Sequence, residues 1–163
     1  MYENQLRDML GKGLPQIAAT CFKAVYGIGF QAVEEAARDF FVETQAVGSQ
    51  LVYSRSYQVY SFLIIEASHI FKLGLRAFPK YERLEIPKIV VGANGEALNT
   101  IMGKVSYLMG KVDEDAEVIT TPPIVLNCSG PNRIPVRGAE SIYLRLGSGE
   151  VSMVIVACVH RIQ

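Results

Sequence analysis

Residues 151–159 read Val-Ser-Met-Val-Ile-Val-Ala-Cys-Val, an apolar, valine-rich run near the end of the chain. A β-branched run this short forms a strand that needs cover on both faces. Just before it, Ile142, Leu144 and Leu146 alternate with Tyr143 and Arg145, the period of two that marks a half-buried strand. Gly147-Ser148-Gly149 joins the two segments, and its glycines can take positive φ at little cost, so 141–162 reads as a hairpin. Val154 and Val156 are expected on one face of the closing strand and Met153 and Ile155 on the other. Both faces are to be covered by the rest of the chain or by a second copy.

What supplies that cover depends on size and composition. At 163 residues the chain has the length of one domain, 1–163, and can bury about two-thirds of its unfolded surface. Half its residues are hydrophobic and 20% are charged, which excludes long disordered stretches. Sixteen basic residues balance sixteen acidic ones. Such a chain has no global field to attract nucleic acid, and neutrality favours self-association.

Cys21, Cys128 and Cys158 are far apart and form no C-x-x-C pair, so a thiolate metal site has no support. They read as buried, reduced thiols of a reducing compartment. The first eight residues have neither the basic start nor the apolar core of a signal peptide. Residues 59–75, the most apolar candidate for a membrane span, carry Glu66, His69 and Lys72.

The first two-thirds of the chain reads as helical. Leu6, Met9 and Leu10 give residues 2–12 an amphipathic pattern, which Gly11 and Gly13 are expected to stop, with Pro15 in the first turn of a following helix. From 15 to about 45, Ile17, Cys21, Val25, Ala32, Ala36 and Phe40 recur at helical spacing, with a kink or break at Gly27 and Gly29. Residues 50–78 are ambiguous. Tyr53, Tyr57, Tyr60, Ile64, Ala67 and Phe71 fall on one helical face, yet 51–60 is rich in β-formers. The tyrosine spacing favours helix, firmest after Val59.

Residues 86–91 read as a short strand, and Gly92-Ala93-Asn94-Gly95 as a turn with Asn94 capping the next helix. That loop lacks the lysine and hydroxyl residue of a Walker motif and the glycines of a dinucleotide fingerprint. Ala97, Leu98, Ile101, Met102, Val105, Leu108 and Met109 then make an unbroken helical stripe, closed by Gly110. The acids at 113–117 fail the spacing of a calcium loop. Pro122-Pro123 excludes a central strand, and Ile124 to Leu126 resumes one. The plan is α+β: N-terminal helices, about 1–111, packed on a small C-terminal antiparallel β-sheet or half-sandwich built from about 118–162.

The stretch from Ile134 to Leu146, with the Gly-Ser-Gly turn and the strand from Val151 to Ala157, resembles the closing β-hairpins of structural proteins of tailed bacteriophage particles. Those include head-decoration, connector and tail components. The resemblance covers about thirty residues. It implies a multi-copy structural protein of a virion, assembled in host cytoplasm, with copies of itself and other structural proteins as partners and no catalytic residues.

Two classes of function compete. One is a non-enzymatic assembly protein forming symmetric homo-oligomers. Asp113, Glu114 and Asp115 would face Arg133, Arg137 and Arg145 of a neighbouring copy, because the signs are segregated along the chain. The other is a small cytoplasmic α+β enzyme or ligand-binding domain, with a pocket near Tyr53, Tyr57, Tyr60 and His69. No residue set at recognisable spacing points to a cofactor, a metal or a catalytic group.

Overall fold

The computed structural model describes residues 4–34, 40–42, 46–114, 116–126, 132–134 and 141–162. Three helices, α1 (Gln5–Tyr26), α2 (Ala67–Ala77) and α3 (Ile86–Val112), pack on one face of an antiparallel sheet. The strands are β1 (Gln31–Val33), β2 (Phe40–Val42), β3 (Ala46–Tyr53), β4 (Tyr57–Ile65), β5 (Ile119–Thr120), β6 (Ile124–Leu126), β7 (Asn132–Ile134), β8 (Ser141–Ser148) and β9 (Val151–Arg161). The main sheet runs β1-β8-β9-β4-β3-β5, with β6 also on β3, and β2 pairs with β7 separately. The α+β class read from the sequence is the class observed.

The closing hairpin forms as expected, with Leu144 opposite Ile155 and Leu146 opposite Met153. Its loop is Gly149-Glu150, and Gly149 has φ 61°, while Gly147 lies within β8. Met153 and Ile155 face the helices in the main core, whereas Val154 and Val156 join Val47 and Ile64 in a second buried cluster on the other face. Both faces of β9 are therefore covered within the chain.

β9 is a central strand because β4 lies along its other side, Leu63 opposite Ile155 and Val59 opposite Val159. This overturns the helix favoured for 50–78 as far as Ile65, including the part after Val59 where that reading was firmest. Val59, Leu63 and Ile65 point into the helix-side core and alternate with Gln58, Tyr60 and Phe62. The period is two, and the tyrosine spacing was a coincidence of composition. β3 and β4 also lie within the part of the chain read as helical, so the sheet draws on both halves of the sequence. Only after Glu66 does a helix begin.

α1 and α3 correct the sequence reading in the opposite sense. α1 runs unbroken through Gly11, Gly13 and Pro15. Leu6, Leu10, Leu14, Ala18, Cys21 and Phe22 form one buried stripe whose burial outweighs about 1 kcal/mol per glycine and one lost amide at Pro15. It ends at Gly27, whose left-handed φ of 68° lets its amide reach the Lys23 carbonyl at 3.0 Å. In place of the helix expected to continue to about 45, residues 31–33 and 40–42 are strands. α3 takes in both the strand expected at 86–91 and the turn expected at 92–95, because Ile86, Val90, Ala97 and Ile101 share one buried face. Asn94 is buried mid-helix, not a cap, and Gly110 lies inside the helix, which ends at Asp113.

Candidate functional site

α3 packs against both other helices and against β3, so one stripe of it is left facing outward. Gly48 of β3 sets how closely it lies, since a Cβ at 48 would come within 3.1 Å of Leu98 Cδ2. On the outward stripe stand Gly92, Glu96, Asn99 and Gly103, all exposed. At 100° per residue these four span about 60° of arc. A carboxylate and a carboxamide thus sit one turn apart, with a glycine one turn beyond each.

Those glycines have no packing reason within the described residues. A Cβ at Gly92 or Gly103 would meet nothing within 4 Å, whereas one at Gly95 would touch Val125 at 3.4 Å. Each exposed glycine costs a helix interior about 1 kcal/mol against alanine. What they leave is a flat surface on which another backbone can approach Glu96 and Asn99 closely.

Asn99 is held from below. Thr121, just past β5, is pinned to β3: its amide donates to the Leu51 carbonyl at 2.9 Å, and its Oγ1 accepts from the Leu51 amide at 3.1 Å. Its own carbonyl accepts from Gln50 Nε2 at 2.7 Å, and the same Nε2 donates to Asn99 Oδ1 at 3.1 Å. Gln50 is 2% exposed, and its Oε1 has no partner among the described residues. A buried orphan acceptor costs about 1–3 kcal/mol.

Tyr26 and Asn94 form a second buried polar pair, where α1 meets α3. The Tyr26 hydroxyl donates to Asn94 Oδ1 at 2.8 Å, and Asn94 Nδ2 has no partner. Burial raises the Tyr26 pKa, so the hydroxyl stays a donor. Burial also pushes the Cys21 thiol up, outweighing the effect of Lys104. Cys21 is a packed thiol; Cys128 lies outside the described residues.

The tyrosines singled out from the sequence do not share one face of the sheet. Tyr57 is 6% exposed on the helix side of β4, while Tyr53 and Tyr60 are 36% and 41% exposed and flank the other face. His69 sits in α2, its Nδ1 accepting from the Ser152 amide at 3.3 Å. Tyr57 thus lies across the sheet from Tyr53 and Tyr60. Asp113 is engaged within the chain, accepting from Ser54 Oγ at 2.5 Å, Ser56 Oγ at 2.8 Å and the Ser56 amide at 3.1 Å. Those bonds, that of Ser54 foremost, outweigh partial burial and hold its carboxyl below the usual range. Glu114 is exposed in the turn after α3.

Arg145 donates to Ser152 Oγ at 2.9 Å and to the Tyr143 hydroxyl at 3.4 Å. Arg133 belongs to β7, and Asp115 and Arg137 lie outside the described residues. Among the described residues no group of three His, Cys, Asp or Glu side chains is placed to hold a metal ion, and no helix is long and apolar enough to cross a membrane. Sequence reasoning missed Glu96, Asn99 and Gln50. The available signal was a Glu-x-x-Asn spacing on the polar face of a strongly patterned helix, with a glycine four residues to either side.

Three helices on one face of a sheet of this strand order recur in solved structures of other proteins. The chemotaxis protein CheX from Vibrio vulnificus has the same fold, with a TM-score of 0.67 at 12% identity, over 89% of this chain and 95% of that one. CheX from Borrelia burgdorferi, solved in a complex with CheY, BeF3 and Mg2+, matches with a TM-score of 0.65 at 11% identity, over 91% and 96% of the two chains. FliM from H. pylori, in a complex with SpeE, matches at 0.56 and 11%, over 97% and 89%. No family model and no curated protein matches the sequence.

At such identities the likeness shows the fold alone. It still overturns the resemblance to phage structural proteins, and with it the expectations of a virion component and a virion location. The hairpin that carried that resemblance is an apolar pair of strands inside a larger sheet, and many sheets contain such a pair.

Proposed function

We propose that this chain docks a CheY-type receiver protein bearing a phosphoryl group on the outward face of α3 and speeds hydrolysis of that group. The observation that carries the reading is the Glu96–Asn99 pair, exposed one turn apart between two glycines with open space above them. The fold adds support, since the Borrelia burgdorferi CheX of the same fold binds CheY with BeF3 and Mg2+. Beryllium trifluoride with magnesium on a carboxylate stands in for an aspartyl phosphate.

The chemistry suits that substrate. Asn99 Nδ2 offers two N–H donors to phosphoryl oxygens, or to the water that attacks between them, where charge shifts as the P–O bond breaks. Glu96 repels phosphoryl oxygens and so fits a cationic group of the receiver beside them, fixing register. A bond forms from water to phosphorus as the bond to the receiver's carboxylate oxygen breaks. Inorganic phosphate leaves, the carboxylate is freed, and the water's proton passes to phosphate or solvent. Orientation is most of what a helix face can contribute, because effective concentration rather than a new nucleophile lowers the barrier.

The test uses a CheY-type receiver from the same genome, phosphorylated with acetyl phosphate, and follows phosphate release. The protein should accelerate release, Asn99→Ala should abolish the acceleration while still binding, and Gly103→Leu should weaken binding by blocking the approach. No binding to the phosphorylated receiver would overturn the proposal. Binding without acceleration would leave a docking protein and remove the hydrolysis.

A further inference from the structure

We propose that Gln50 is a positioning residue that fixes the Asn99 carboxamide with its Nδ2 donors turned outward, by donating from one nitrogen to both the Thr121 carbonyl and Asn99 Oδ1. The inference rests on the reading of the α3 face given above. It begins with a carbonyl. The Thr121 oxygen can only accept, so the atom of Gln50 that meets it at 2.7 Å must be the nitrogen. That nitrogen meets Asn99 at 3.1 Å, so the Asn99 atom facing it must be the oxygen. The Asn99 nitrogen then points away from the sheet. Turning that amide over would set two donors against each other.

The anchor is rigid. Thr121 is tied to Leu51 through its amide and its hydroxyl, directly beside Gln50 in β3. Gln50 itself is buried, so its side chain has one conformation to offer. An exposed asparagine on a helix otherwise samples both amide orientations in water, and half of its time would be spent presenting the wrong group.

The second observation is what Gln50 gives up. Its Oε1 is buried with no partner among the described residues, and an apolar side chain would avoid that loss only by taking the donor away from the Thr121 carbonyl. An amide whose nitrogen bridges the Thr121 carbonyl and Asn99 Oδ1 ties the Asn99 side chain to the backbone beside β3, which fits a role directed at Asn99.

Gln50→Met removes both donations at nearly constant volume, and Gln50→Glu replaces the donor by an acceptor that draws Asn99 Nδ2 inward. Both variants should lower phosphate release from the saturating phosphorylated receiver by about tenfold or more, with receiver affinity unchanged. Circular dichroism of each variant confirms folding at the assay temperature, and either one suffices if the other fails to fold. In an Asn99→Ala background, neither should lower the rate further.

The outcomes separate the two readings. If Asn99→Ala releases phosphate at the wild-type rate, the α3 site falls and the role of Gln50 with it. If Asn99→Ala is inactive while both Gln50 variants match wild type, the Gln50 inference alone is overturned. Equal losses in the wild-type and Asn99→Ala backgrounds, or a loss of affinity with the maximal rate intact, would likewise overturn it.

Discussion

Gly74 of α2 lies so close to Ile86 of α3 that a methyl group at position 74 would overlap Ile86 Cγ2 and come within 3.1 Å of Val90 Cγ2. Ile86 and Val90 are fully buried, so neither can move aside without disturbing the core. Gly74→Ala gains about 1 kcal/mol in helix propensity but meets an overpacking cost of about 1–3 kcal/mol. The variant should be less stable than wild type by up to about 2 kcal/mol in urea unfolding. A higher midpoint would show that α2 and α3 are not packed this closely.

The Tyr26–Asn94 pair invites a double-mutant test. Tyr26→Phe strands Asn94 Oδ1 beside an Nδ2 that already lacks a partner, and should cost about 1–3 kcal/mol. Asn94→Leu in the same chain removes both orphaned groups and should recover most of that loss, since α3 keeps its buried stripe. Additive losses from the two substitutions would mean that the hydroxyl and the amide do not meet.

Asp113 makes stability depend on pH at the acidic end. Its carboxyl is held below its ordinary value by Ser54 and then Ser56, so the folded state favours the ionised form. The resulting contribution is present above the ordinary carboxylate range and is lost as pH falls through the lowered folded-state value. Asp113→Asn should therefore be less stable than wild type at neutral pH, and the gap should close on acidification below about pH 4. A gap that stays constant down to about pH 2 would show that these hydrogen bonds do not favour the carboxylate.

Elements whose pattern is local could be read from the sequence. The β8–β9 hairpin needed only alternation, a glycine-bearing turn and a β-branched run, and each residue there agrees with its neighbours. The stripe from Ala97 to Met109 was equally plain. Misreadings fell where a local signal was outweighed from a distance. Gly11, Gly13 and Pro15 are helix breakers by propensity, but α1 buries a stripe of apolar side chains that is worth more than their combined cost. Residues 86–95 look like a strand and a turn until α1, α2 and β3 are in place to cover one face of a long helix.

The candidate site shows the same division. The sequence by itself determined that Glu96, Asn99 and Gly103 share one face of a helix, because three or four residues make nearly one turn; Gly92, read as part of a turn, joins that face only in the structure. Only the tertiary structure decided that this face is the one left outward. Only it brought Gln50, 49 residues from Asn99, and Thr121, 71 residues from Gln50, into one hydrogen-bonded line. Helical periodicity is a property of neighbouring residues. The direction of a buried amide depends on which distant carbonyl is packed against it, and that follows from how strands 70 residues apart are paired.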